Sequence, residues 1–166
     1  MKLTVKDIAV LGLLLGLMEA GKRMLDLLPN VEVITLLFIL YALYLGKKAY
    51  LIAVAFTLLE TSVFGLHTWV IMYLYMWPLL ITVVLIIKKR ATHWAYCILA
   101  ALFGLFFGAL CSIPYLVIGG PSMAFTWWVA GIPYDLIHCV SNFLICLFLF
   151  RPLCHLFGRI RAAGYL

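Results

Sequence analysis

Apolar residues occupy six long runs of the chain, and short polar segments separate them. A helix needs about 20 mostly apolar residues to cross a bilayer, with a range of about 17–25. The runs are close to that length, so the pattern predicts a single all-α integral membrane domain over residues 1–166, a six-helix transmembrane bundle. The predicted spans are residues 5–23, 30–46, 49–66, 69–87, 93–118 and 125–150.

The composition excludes an ordinary soluble domain. Hydrophobic residues make up 67% of the chain and charged residues only 11%, whereas a soluble domain is about half apolar and a quarter charged. The net charge of +6 does not indicate nucleic acid as a partner, because the basic residues lie in the separators between apolar runs.

The basic residues also predict the orientation. If six spans alternate, ten of the twelve lysines and arginines fall on one side of the membrane. Positively charged loops stay in the cytoplasm, so both termini are predicted to be cytoplasmic in a multi-pass protein of the bacterial plasma membrane. The ten are Lys2, Lys6, Lys47, Lys48, Lys88, Lys89, Arg90, Arg151, Arg159 and Arg161.

Polar residues interrupt the last predicted span at helical spacing. Trp128, Gly131, Asp135, His138 and Asn142 advance by three and four residues, so they share one helix face. An ionisable residue at membrane depth almost always faces protein or water rather than lipid. This face either ties helices together through an Asp–His hydrogen bond or forms the floor of a binding pocket.

Two further spans carry residues that could complete such a pocket. Glu60 is a lone carboxylate in the third span, and Trp69, Tyr73 and Trp77 recur every four residues in the fourth. The aromatic row is either an interfacial belt or a wall that faces a ligand. We predict a pocket among spans three to six, closed by the first loop and by the loop at 119–124. The candidate substrate-binding residues are Glu60, Trp69, Tyr73, Trp77, Trp128, Asp135, His138 and Asn142.

The residues of this pocket also indicate a class of ligand. Aromatic faces stack on flat rings, and Glu60 and Asp135 have no lysine or arginine near them in the sequence. They therefore favour a neutral or cationic heterocycle over an anion. At the start of the second span, Asn30 or Glu32 either caps the helix or points toward the ligand.

A ridge of small residues runs along the first span. Ala9, Gly12, Gly16 and Ala20 lie close to one face, where small side chains allow another helix to approach. The ridge serves either to dock a partner subunit or to pack inside this chain's own bundle. A second ridge of the same kind, in the fifth span, consists of Ala100, Gly104, Gly108 and Ser112.

Catalytic and metal-binding motifs are missing from the sequence. It has no GxxxxGK[ST] phosphate loop, no HExxH or other metal-ligand spacing and no GxSxG elbow. We expect neither an enzyme nor a bound cofactor or metal, and without the phosphate loop the chain is not expected to hydrolyse ATP itself.

The whole chain resembles the substrate-binding S components of energy-coupling factor (ECF) transporters. The resemblance lies in the six-span topology, the ridge of the first span, the segment LPNVEVITLL and the segment WWVAGIPYDLIHCVSNF. It implies high-affinity capture of a vitamin-like small molecule from outside. It further implies docking through the first spans onto a transmembrane T subunit with two ATPase subunits, and toppling in the membrane lipid to release the substrate inward.

Two other classes of function fit the same sequence. A self-sufficient secondary transporter would need no ATPase partner. A structural or assembly membrane protein would use the polar face of the last span only to hold helices together.

Overall fold

The computed structural model describes residues 3–165, and helices are the only regular elements over that range. Lys2, which the charge pattern counts among the cytoplasmic residues, lies outside the described residues. A 3-10 turn at Gly46–Lys48 joins the second and third helices. The helices are α1 Val5–Leu25, α2 Ile34–Leu45, α3 Ala49–Phe64, α4 Thr68–Ile87, α5 His93–Leu105, α6 Phe107–Cys111 and α7 Ile113–Ala162.

Local chemistry explains several helix ends. The Thr4 hydroxyl accepts a hydrogen bond from the Asp7 N–H at 3.1 Å, and the Asp7 carboxylate accepts one from the Thr4 N–H in return. This reciprocal arrangement satisfies donors that a helix start leaves unpaired. The Thr92 hydroxyl caps α5 by accepting from the Ala95 N–H. Helix α3 ends at Phe64, and the next residue, Gly65, has a φ of 82° that favours glycine.

Three helical stretches in the described range are long and apolar enough to cross a membrane. They are residues 34–64, which include the turn at 46–48, residues 68–87 and residues 113–162. The predicted all-helical class is therefore confirmed, and the apolar helices fit a membrane protein. The number of six spans and the cytoplasmic placement of the termini stay predictions.

The predicted loop at 119–124 is wrong. Helix α7 runs through this region, and only Gly120 leaves the helical conformation, with φ 78° and ψ −177°. Glycine tolerates this φ, and Pro121 directly after it can begin a new helical stretch. The chain therefore bends at one residue, and no loop exists there that could close a pocket.

Helix α7 also continues beyond the predicted end at residue 150. Phe157 is buried, and its ring centroid lies 6.0 Å from that of Tyr41 and 5.2 Å from that of Tyr44. The Tyr44 hydroxyl donates to the Cys154 carbonyl at 2.8 Å. These contacts with α2 stabilise the additional turns.

The predicted fifth span is interrupted but keeps its helical course. Phe106 and Ser112 separate α5, α6 and α7. The Phe106 N–H still donates to the Leu102 carbonyl at 3.0 Å, and the Leu110 N–H donates to the Phe106 carbonyl at 2.9 Å. Residues 93–119 therefore follow one nearly continuous helical path up to the bend.

The two ridges of small residues have different surroundings. In α5 and α6, Ala100, Gly104 and Gly108 are buried, and Gly104 and Gly108 lie directly against α7. In α1 all four residues of the ridge are exposed, and within the described chain no heavy atom lies within 4 Å of a Cβ built on Gly12 or Gly16. Packing inside the bundle therefore explains the second ridge and not the first.

Candidate functional site

Three adjoining cavities lie between the helices, and the first is where α1, α4 and α7 meet the segment 26–33. The first has a volume of about 230 Å³, and the second, beside α3, about 320 Å³. The third has about 380 Å³ and lies against α6 and α7. The first cavity shares Lys22 and Tyr73 with the second, and Asn30 and Phe107 with the third. Together they extend over all four predicted spans of the pocket.

The aromatic row of α4 forms one wall. Trp69 and Tyr73 have ring centroids 5.1 Å apart, and Tyr73 and Trp77 have centroids 5.4 Å apart. Trp69 lines the second cavity, Tyr73 the first and second, and Trp77 the first. The row therefore faces inward, as expected for a ligand-facing wall and unlike a lipid-facing belt.

Trp77 is also a central core residue. Its side chain is only 2% exposed, and its ring stacks on Phe38 with centroids 5.0 Å apart. Phe56 and Phe103 contact it from other directions. Its indole N–H has no hydrogen-bond partner among residues 3–165.

Glu60 has no lysine or arginine near it in the sequence but has two beside it in the structure, so the inference that it is an uncompensated carboxylate is wrong. It forms an ion pair with Lys22, and an Arg23 guanidinium nitrogen lies 3.7 Å from its Oε1. Lys22 is 38 residues away in sequence, and the packing of α1 against α3 brings it close. Glu60 and Lys22 both line the second cavity, so this part of the site offers no net negative charge.

Asp135 and His138 bind separate partners. Asp135 Oδ1 accepts a hydrogen bond from the Gly108 N–H at 2.8 Å, and His138 Nε2 lies 3.0 Å from Glu32 Oε1. The Asp135–His138 hydrogen bond, one of the two alternatives for this face, is not formed in the described structure. His138 lines the first cavity and Asp135 the third.

Glu32 connects the first loop to the last helix. Its carboxylate caps α2 by accepting from the Thr35 N–H at 2.8 Å and from the Thr35 hydroxyl at 2.5 Å. The same carboxylate lies against His138 and lines the first cavity. Glu32 therefore both caps α2 and forms part of the candidate site. Nearby, the Ser141 hydroxyl donates to the Asn30 carbonyl at 2.7 Å. Two links therefore fasten the segment 26–33 to α7.

Trp128 and Asn142, two of the predicted site residues, do not line these three cavities. Trp128 is half-buried against Phe125, and the neighbouring Trp127 lines the third cavity instead and stacks on Tyr115 with centroids 5.0 Å apart. Adjacent helix residues point about 100° apart, and Tyr115 lies on the side of Trp127.

Asn142 ties three helices together in the interior. Its amide nitrogen lies 3.2 Å from the Thr35 hydroxyl and 3.5 Å from the Ala100 carbonyl. These partners belong to α2 and α5, while Asn142 itself belongs to α7. Its amide nitrogen therefore serves packing, whereas its Oδ1 has no hydrogen-bond partner among residues 3–165.

The Glu32–His138 link gives a prediction about pH. Burial raises the pKa of Glu32, but the hydrogen bond and charge of His138 and two hydrogen bonds from Thr35 outweigh burial and hold the pKa below its ordinary 4.5. A lowered pKa stabilises the fold above pH 4.5, and this stabilisation is lost as the pH falls through the folded-state pKa.

We expect Glu32→Gln to lower the free energy of unfolding by about 1 kcal/mol, the difference between a charged and a neutral hydrogen bond. Thermal unfolding of both proteins should give a difference at pH 5 that shrinks as the pH falls below 4.5. A difference that grew on acidification would contradict this account.

Comparison with family models, with curated proteins and with solved structures found no match to this chain.

Proposed function

We propose that the chain is the substrate-capture subunit, or S component, of an ECF-type ABC importer in the bacterial plasma membrane. In this proposal six spans cross the bilayer, both termini are cytoplasmic, and residues 93–119 form one of the spans. The chain would bind a vitamin-like heterocycle and deliver it to a T subunit with two ATPase subunits.

The observation that carries this proposal is a group of buried polar atoms around the cavities. Trp77 Nε1, His138 Nδ1, Glu60 Oε1 and Asp135 Oδ2 have no hydrogen-bond partner among the described residues, and all four side chains line a cavity. A buried polar group without a partner costs about 1–3 kcal/mol. Three more such atoms among the described residues, on Glu19, His93 and Asn142, belong to side chains that line none of these cavities. The concentration of four of the seven at the cavities favours a ligand.

The aromatic wall supports a flat ligand. Tyr73 and Trp77 lie beside the first cavity, and Phe107 lines both the first and the third. Stacking contributes about 0.5–1.5 kcal/mol per aromatic pair beyond burial of the same area. A ring system with polar edges would fill the apolar faces and also pair the buried polar atoms.

The exposed ridge of α1 supports a partner helix. Ala9, Gly12, Gly16 and Ala20 are all exposed, and an apolar groove of about 310 Å³ between α1 and α3 adjoins Gly12. Small residues allow two helix backbones to approach closely in a membrane. This surface would contact the T subunit.

The proposal is tested by uptake into vesicles. Mass spectrometry first identifies the small molecule that co-purifies with the protein. The protein is then reconstituted alone and together with the T and ATPase subunits, and this molecule is supplied as substrate. We expect uptake only in the full assembly with ATP. Uptake by the chain alone would identify a secondary transporter, and a purified chain without a ligand or uptake would favour a structural protein.

A bulky residue on the ridge should separate ligand capture from transport. We expect Gly16→Leu to leave folding and ligand binding unchanged but to lower ATP-driven uptake at least tenfold, because the leucine side chain would block close approach of the partner helix. Gly158→Leu is the matched control, since Gly158 in α7 also has open space around its Cβ in the described structure. Equal uptake by both variants would contradict docking through the ridge.

A further inference from the structure

Asp135 differs from the other acidic residues in its charge partners. The chain has six acidic residues, and all six lie in the described part. Five form an ion pair with a lysine, arginine or histidine, whereas Asp135 has no such partner in residues 3–165. The pairs are Asp7–Lys48, Glu19–Arg23, Asp26–Arg23, Glu32–His138 and Glu60–Lys22.

The position of Asp135 makes this absence costly. The residue is 5% exposed, and its Oδ1 accepts from the Gly108 N–H while Oδ2 has no hydrogen-bond partner among the described residues. A buried carboxylate is costly unless it is paired and hydrogen-bonded. A Cβ on Gly108 would lie 2.4 Å from Oδ2, so glycine is required at 108 for the carboxylate to occupy this place.

The third cavity surrounds Asp135 with aromatic side chains. Phe107, Trp127 and Tyr134 line it, and Asp135 is the only charged residue among those that do. Aromatic faces attract cations, most strongly when the cation is removed from water. The cavity therefore combines one unpaired negative charge with aromatic faces, which is the chemistry that recognises a cationic nitrogen.

We propose that the third cavity binds a positively charged nitrogen of the substrate, with Asp135 as the counter-ion and Trp127 and Phe107 as aromatic walls. The substrate class is then a flat heteroaromatic cation, or a heterocycle that carries an ammonium group. This inference rests on the proposed function, since it assigns the ligand of the same site. The sequence alone indicated a neutral or a cationic ligand. This proposal narrows the class to a cation, because Lys22 already neutralises Glu60 and Asp135 is the carboxylate left without a charge partner.

A matched pair of small probes tests this assignment. The pair is 4-amino-1-methylpyridinium, whose charge is permanent, and 4-methylaniline, which has the same shape and is neutral at pH 7. The full chain is freed of co-purified ligand and placed in nanodiscs of phosphatidylglycerol, a lipid without an amine group. Calorimetry then measures the affinity for each probe. We expect the wild type to prefer the cation at least tenfold.

Asp135→Asn should remove that preference by lowering affinity for the cation at least tenfold and for the neutral probe less than twofold. Asparagine keeps an oxygen for the Gly108 N–H, so thermal unfolding should confirm an intact fold. Trp127→Leu should lower the affinity for the cationic probe about threefold, because one aromatic face is lost. Asp7→Asn is the matched control, because Asp7 lies outside the three cavities, and it should change neither affinity.

Equal binding of the two probes to the wild type, or an equal effect of Asp135→Asn on both, would overturn the assignment. So would a co-purified, tightly bound substrate without a cationic nitrogen, although capture and ATP-driven uptake of that substrate would leave the proposed function intact. Conversely, charge-selective binding without ATP-driven uptake would support the cation site and contradict the importer.

Discussion

Trp77→Ala is expected to lower the free energy of unfolding by about 3–5 kcal/mol, the range found when a large buried aromatic residue is truncated. Trp77 is 2% exposed and packs against Phe38, Phe56 and Phe103. These neighbours belong to α2, α3 and α5, so three helices would face the space that the indole leaves. Denaturation of the purified protein in detergent, followed by the near-ultraviolet signal of the remaining tryptophans, measures the loss.

Trp77→Phe separates this packing role from the role of the indole N–H. Phenylalanine keeps an aromatic ring among the same neighbours and leaves a smaller space than alanine, so we expect a clearly smaller loss of stability than for Trp77→Ala. The N–H, however, is gone. If it binds the ligand, affinity for the co-purified molecule should fall about two- to tenfold, the value of one hydrogen bond.

Two results would contradict this account of Trp77. An alanine variant as stable as the wild type would mean that the residue is not part of the core. A phenylalanine variant with unchanged ligand affinity would mean that the N–H makes no contact with the ligand, although Trp77 could still provide a wall of the first cavity.

Periodicity predicted which residues of α7 and α4 face inward. Asp135, His138 and Asn142 are all buried on one helix face, and the row from Trp69 to Trp77 lines the first and second cavities. These predictions held because spacing along one helix determines a shared face. Trp128 fits the same spacing but lies one or two turns nearer the bend at Gly120. There Tyr115 of the preceding segment packs on Trp127 and not on Trp128.

Contacts between distant residues could not be predicted in this way. The Lys22–Glu60 pair joins residues 38 apart, and the Glu32–His138 contact joins residues 106 apart. Each depends on how helices pack, which the spacing within one helix does not determine. The sequence offered Glu32 as either a cap or a ligand-facing residue, but its contact with His138 required the fold.

The bend at Gly120 shows a different limit. A Gly-Gly-Pro-Ser segment is an ordinary signal for a loop, and the sequence therefore predicted one at 119–124. The structure needs only one residue with positive φ, and helix resumes immediately after it. Turn residues indicated where the chain changes direction but not how many residues the change requires.

The exchange Gly104→Ala is expected to destabilise the protein by about 3 kcal/mol, the upper end of the usual cost of overpacking. A Cβ at 104 would lie 2.7 Å from the carbonyl carbon and oxygen of His138 and 2.9 Å from the Cys139 nitrogen. These are backbone atoms of α7, which cannot rotate away as a side chain can. Helices α5 and α7 would have to separate, and His138 would shift with them.

Gly12→Ala is the matched control for this clash, since the exchange is identical and the position also lies within a helix. A Cβ at 12 meets no heavy atom of the described chain within 4 Å, and alanine is favoured over glycine in a helix by about 0.5–1 kcal/mol. We therefore expect Gly12→Ala to leave stability unchanged or to raise it, and thermal unfolding of both variants measures the difference. If the two exchanges had equal effects, the close packing of α5 on α7 and the exposure of the α1 ridge could not both be correct.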